Sequence, residues 1–259
     1  MTRLRGFTLI ELVMVIVLLA IVATISVRFV TLSTLGALDT SARQQRALNA
    51  AVVSEQISRE LRDALPTSVR TSSDGRCLEW LPIIAASSYL DLPIGSVIDE
   101  FTAVALPGGR SASGRVVVYP YAGNLYTLST SGPISPPATL PAGTDTVIVS
   151  LASPHQFTSG SPQQRFFIVG SPVTLCQVAG TLFRYRDYGI HSSGASNLPS
   201  GAPGREVLAA GLMADSVSFL VTPASLQRAA VVSFAFTLQD ARSGETTAVS
   251  QEVQIRNVP

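Results

Sequence analysis

Residues 7–27, FTLIELVMVIVLLAIVATISV, form a long apolar run whose only charge is Glu11. As a helix rising ~1.5 Å per residue, it crosses ~30 Å of hydrocarbon. Arg28 closes the run, and Arg3 and Arg5 precede it. Positive charge on that side favours a cytoplasmic N-terminus, which sends everything after residue 28 across the membrane. A secretory signal peptide is shorter and is followed closely by an A-x-A-like site, which is missing here. A plain signal anchor leaves Glu11 unexplained. A carboxylate at mid-bilayer costs about 2.5–3.5 kcal/mol and needs a partner or a function.

The helical pattern continues beyond the span. From about residue 29 to 65 there is no Pro, and Gly36 is the only Gly. Val53, Ile57, Leu61 and Leu65 recur every four residues, flanked by Leu48, Val52 and Ala64. This is an amphipathic stripe. A linker or coiled-coil helix is the alternative, although the stripe is short for one. Glu55–Arg59 and Arg59–Asp63 have i,i+4 spacing on the wet side. Pro66 disfavours helix at Leu65. The expectation is one helix over about 60 residues, roughly 85 Å long at ~1.5 Å per residue.

After Pro66 the period falls to two. Val232, Phe234, Phe236 and Leu238 alternate with polar or small residues, as do Val217, Phe219 and Val221, and Val249, Val253 and Ile255 continue the theme. Gln239–Thr246, with Asp240 and Gly244, reads as the loop of a hairpin. Further strands are expected at 77–84, 115–119, 125–129, 146–151, 165–170, 172–178, 181–188 and 205–210. The Pro/Gly/Ser-rich stretches 107–114, 129–144 and 192–204 read as loops. The predicted class is α+β: a long N-terminal helix packed on one antiparallel β-rich head.

Charged residues make up 14% of the chain, below the roughly 25% of ordinary soluble domains. All eighteen cations are Arg and the net charge is +1, so no basic field recruits nucleic acid and no catalytic Lys exists. Arg184, Arg186, Tyr185 and Tyr188 read as a solvated strand face rather than a stacking platform for bases. Cys77 and Cys176 are the only cysteines. Past an export signal they face an oxidising space, where two cysteines usually pair. Two unpaired buried thiols are the alternative.

Chemistry-bearing motifs are absent. His155 (SPHQF) and His191 (GIHSSG) sit in loop-like contexts, with no HExxH, GxSxG, GxGxxG or P-loop in the chain. Asp187, Asp215 and Asp240 are scattered, with no calcium loop among them. Neither an enzyme nor a cofactor is indicated. Tyr119, Tyr121 and Tyr126 would have to face outward together to make a sugar-binding patch; strand packing is the ordinary use of such residues.

Arg5-Gly6-Phe7-Thr8-Leu9-Ile10-Glu11 resembles the processing signal of type IV prepilins without departure. The resemblance implies a pilin-like fold and cutting by a prepilin peptidase between Gly6 and Phe7. It also implies N-methylation of Phe7 and an assembly role for Glu11. Gly6 lets a protease approach the backbone closely. Removing Arg3 and Arg5 leaves sixteen Arg against seventeen acids. It also creates a cationic amine at Phe7 that Glu11 of a neighbouring subunit can meet in the apolar phase.

The implied divisions are a leader (1–6), a transmembrane helix (7–28), its amphipathic extension (29–65) and a head (66–259). The implied partners are prepilin peptidase, other major and minor pilins, and an inner-membrane assembly platform. The implied location is the inner membrane with a periplasmic head, then an extracellular filament. Residues 58–66, Cys77–Ile83 and the aromatic run Phe183–Tyr188 are similar to minor pilins of mannose-sensitive haemagglutinin pili. J-type pseudopilins of type II secretion and PilW-like minor pilins share the same plan, and a tip adhesin for a surface glycan is a further alternative.

Overall fold

The computed structural model describes residues 8–195 and 198–256. Helix α1 spans Leu9–Arg62. Two compact units divide the chain, Met1–Asn49 and Ala50–Pro259. In the first, the apolar side chains of Leu12, Val15, Leu19, Val22 and Ile25 are all exposed. This stretch is apolar all round and is left unburied by the described residues, and it is long and apolar enough to cross a membrane.

In the second unit, residues 50–62 of α1 bury the expected stripe. Ala50, Val53, Ile57 and Leu61 enter one core with Leu78, Trp80, Phe219, Phe234 and Phe236. Each large side chain there contributes about 1.5–3 kcal/mol by leaving water. Leu48 and Val52, expected beside the stripe, are 62% and 64% exposed instead. Glu55 meets Arg62 at 3.8 Å rather than Arg59.

The helix ends at Arg62, not Leu65, because its next residues join a sheet-like exchange. The Leu65 amide donates to Leu81 O at 2.9 Å, and the Ile83 amide donates to Asp63 O at 2.8 Å. Pro66 offers no amide to extend the helix further.

Fourteen strands follow among the described residues. The first five are β1 (Arg70–Thr71), β2 (Cys77–Trp80), β3 (Ile83–Asp91), β4 (Val97–Val104) and β5 (Ala112–Val118). The next five are β6 (Ile134–Leu140), β7 (Thr146–Gln156), β8 (Arg165–Val169), β9 (Val173–Val178) and β10 (Thr181–Tyr185). The last four are β11 (Arg205–Ala210), β12 (Ser218–Thr222), β13 (Ala230–Gln239) and β14 (Thr246–Ile255).

They form a five-stranded sheet β1-β2-β9-β10-β11, a three-stranded sheet β12-β13-β14 and a closed barrel β3-β4-β7-β6-β5-β8. Every strand pairing is antiparallel. The α+β class with a helix packed on an antiparallel β-rich head is therefore observed.

The alternation in β13 places Val232, Phe234, Phe236 and Leu238 inside. The expected hairpin closes with Gln239 opposite Thr246. The barrel has its own core, built on Phe101, Phe157, Phe166, Val149 and Ile168. Phe101 and Phe166 meet edge to face with centroids 5.3 Å apart, a favoured aromatic geometry.

Three expectations are corrected. Residues 125–129 are not a strand; Leu125 and Tyr126 are buried from a loop. Residues 112–114 lie in β5 and 134–140 form β6, although 107–114 and 129–144 read as loops. The expected strand 77–84 is two strands, broken at Leu81-Pro82.

Candidate functional site

Gly6 and Phe7 lie outside the described residues. The described N-terminus begins with Thr8, which has no helical assignment and precedes Leu9. The Glu11 amide donates to Thr8 Oγ1 at 3.3 Å, and the Leu12 amide to Thr8 O at 3.2 Å. Thr8 is thus an N-cap with Glu11 three residues on, the spacing of a capping box. This role for Thr8 is legible in Thr-x-x-Glu, yet it is easily missed inside a run read for its apolarity. Glu11 occupies the first turn, where the helix dipole favours a carboxylate.

Cys77 and Cys176 form a disulfide. They sit directly opposite each other in the pairing of β2 with β9. Beside them lies a buried polar cluster that sequence reading missed. Glu79 is 2% exposed. Its Oε2 accepts from Arg70 Nε at 2.6 Å and from the Ala195 amide at 3.3 Å; its Oε1 accepts from Tyr188 OH at 2.8 Å. Arg70 also donates to the carbonyls of Ser192 (2.9 Å) and His191 (2.5 Å), and its guanidinium stacks 3.4 Å from the centre of the Tyr126 ring. Tyr126 OH donates to Ser68 O at 2.8 Å. Burial, followed by the charge of Glu79, raises the Tyr126 phenol well above its ordinary range. Burial is also the main cause of the raised Tyr188 pKa, with Glu79 adding to it. Thr174 of β9 also meets the Tyr188 hydroxyl, so the network joins β1, β2, β9, the loop of Tyr126 and the loop after β10 through mutually paired donors and acceptors.

These contacts decide several candidate roles. Tyr126 is packed under Arg70 and buried, so Tyr119, Tyr121 and Tyr126 do not make one outward sugar platform. Tyr185 and Tyr188 are buried, not on the solvated strand face expected of them, and Arg184 is engaged by Glu60 of α1 and Glu206 of β11, which also leaves no base-stacking face there among the described residues. His155 lies in β7 rather than in the expected loop, and it is buried beside Phe157, with ring centroids 4.8 Å apart. His191 points Nε2 at Tyr188 O, 2.8 Å away. Asp215 pairs with Arg76 at 2.8 Å, and Asp240 caps its own turn by accepting from the Arg242 and Ser243 amides. Among the described residues no group of three or more His, Cys, Asp or Glu is arranged to hold a metal ion.

The remaining candidate for function is the N-terminal segment. A family model for the prokaryotic N-terminal methylation motif matches residues 1–27. The match supports a type IV pilin-like or pseudopilin-type protein, a structural rather than enzymatic kind of subunit. The motif implies processing by prepilin peptidase, and together with the apolar helix it points to membrane anchoring. Neither the comparison with curated proteins nor that with solved structures gives a match.

Proposed function

We propose that this chain is a minor type IV pilin of a mannose-sensitive haemagglutinin-type pilus, similar to the subunit MshO, and that it acts in filament initiation or at the tip. The observation that carries the reading is Glu11, four residues after Phe7 of Arg5-Gly6-Phe7 and held in the capped first turn of an exposed apolar helix. Residues 1–6 are the leader and 7–28 the span, with the N-terminus cytoplasmic. The helix then continues to Arg62, and the following β-rich head is periplasmic. Prepilin peptidase cuts after Gly6 and methylates Phe7.

The subunit then leaves the membrane for the filament. Its working contacts are with other major and minor pilins and with the inner-membrane assembly platform. Glu11 pairs with the Phe7 amine of a neighbour, which removes two isolated charges from the apolar phase together. The role is structural and non-enzymatic, with no cofactor.

The test is the intact mass of the chain purified from its own membranes. It should begin at Phe7, carry one added methyl group and lack two thiol hydrogens. A chain that begins at Met1, or one cut after the apolar run, overturns the reading. Glu11→Ala should be processed normally yet fail to enter filaments. Co-purification with the pseudopilins of a secretion system, in place of pilus subunits, would assign the chain to the J-type alternative.

A further inference from the structure

A cleft of about 680 Å³ opens on the wall of the barrel, between β5, β6, β7, β8 and the segment Gly189–Ile190. Arg115 is the one charged side chain lining it. Its NH1 donates to Ser135 O at 2.9 Å, and among the described residues it has no ion pair. Burial pulls its pKa below the ordinary arginine value, so this cation is partly stripped of water without a counter-charge. A guanidinium has five N–H donors, and among the described residues one hydrogen bond, to Ser135 O, engages that of Arg115.

The floor of the cleft is backbone. A Cβ at Gly114 would stand 2.4 Å from Val169 O, so only glycine permits this approach of β5 to β8. The walls add the hydroxyl residues Ser113, Thr139, Ser150 and Ser171, and the apolar Ile84 and Ile190.

We propose that this cleft binds a carboxylate-bearing sugar unit, with Arg115 as the receptor for the carboxylate. A planar guanidinium matches a carboxylate with two parallel hydrogen bonds. The hydroxyl residues suit the ring hydroxyls, and the two isoleucines cover its C–H face. A neutral sugar leaves the partly buried Arg115 without a counter-charge. A polyanion such as nucleic acid is held through several cations, and here there is one. The site lies in the head and is independent of how the N-terminal segment is processed.

The test uses the full chain in detergent micelles and saturation-transfer NMR with D-glucuronate, D-glucose, acetate and trialanine as probes. Glucuronate should bind with a Kd of roughly millimolar order, and the other three should bind more weakly or not at all. Arg115→Gln should weaken glucuronate by about tenfold or more through loss of the charge-assisted pair. Ser150→Trp, at an exposed position, should block the cleft and abolish binding while leaving the Arg115–Ser135 bond intact. Absence of glucuronate binding, or binding unchanged in both variants, overturns the proposal. Acetate binding as well as glucuronate, or trialanine binding better, overturns the sugar assignment.

Discussion

Arg70 and Glu79 are cross-strand partners in β1 and β2, and Arg70 Nε donates to Glu79 Oε2 at 2.6 Å with Glu79 almost wholly buried. The same carboxylate also holds Tyr188 and the Ala195 amide, so removing it strands three donors at once. Glu79→Ala should destabilise the head by about 2–4 kcal/mol, the cost of leaving buried donors unsatisfied beside a partly buried guanidinium. Arg70→Met combined with Glu79→Leu should cost clearly less than the sum of the single changes. Urea unfolding of the four chains measures the coupling. Strict additivity would mean that the pair is not acting as a unit.

Tyr126 and Tyr188 should stay protonated at a pH where exposed phenols ionise. Their folded pKa values are raised, so the folded state holds protons that the unfolded chain gives up near pH ~10. Their contribution to stability is complete below that pH and falls as pH rises above it. Alkaline absorbance titration should show at least two of the six tyrosines silent until the chain unfolds. A single transition accounting for all six in the folded protein contradicts this.

The acid side has a different sensor. Burial lowers the pKa of His155 from its ordinary 6.5, so the folded state prefers the neutral imidazole. The unfolded chain protonates first as pH falls, and this part of the stability is full above about pH 6.5 and declines below it. A histidine Cε1–H resonance that shifts only below the ordinary range, and is missing in His155→Asn, is the expected NMR signature.

The Cys77–Cys176 bond spans a sequence separation of 99 residues. Chain-entropy reasoning gives roughly 4–5 kcal/mol for a loop of that size, as an upper figure. Replacing both cysteines by serine should lower the denaturation midpoint accordingly, and a reducing agent should do the same to the wild type but not to the double variant.

Leu61 is fully buried on α1 and packs in the core shared with Trp80 and Phe236. Leu61→Ala should cost about 2–5 kcal/mol. Val52→Ala, at an exposed position on the same helix, should be neutral or stabilise by about 0.5 kcal/mol, because alanine is the better helix former. Equal losses at the two positions would contradict the observed orientation of the helix stripe.

The helix stripe and the strands of the last sheet were legible because each carries a local period. Val53, Ile57 and Leu61 repeat at the helical spacing, and Val232, Phe234 and Phe236 at the strand spacing, so neighbours in sequence report which face is buried. β6 was not legible. Pro136 and Pro137 sit inside it and read as loop, yet the strand pairs with β5 along much of its length and with β7 at only two positions, which leaves room for residues that donate no amide. Tyr126 differs in the opposite sense: residues 125–129 read as a strand, whereas Arg70 and Ser68, distant in sequence, hold Tyr126 in a buried loop.

The sequence by itself determined the long apolar helix and the N-terminal methylation motif, because a continuous apolar run, its flanking arginines and one carboxylate act through adjacent residues. Only the tertiary structure decided that the head divides into a helix-covered core and a separate barrel. It also decided that Glu79 meets Arg70 and that Arg115 faces a cleft with no acid in it. Barrel closure and buried charge pairing depend on strands brought together from distant parts of the chain, and no local period records such contacts.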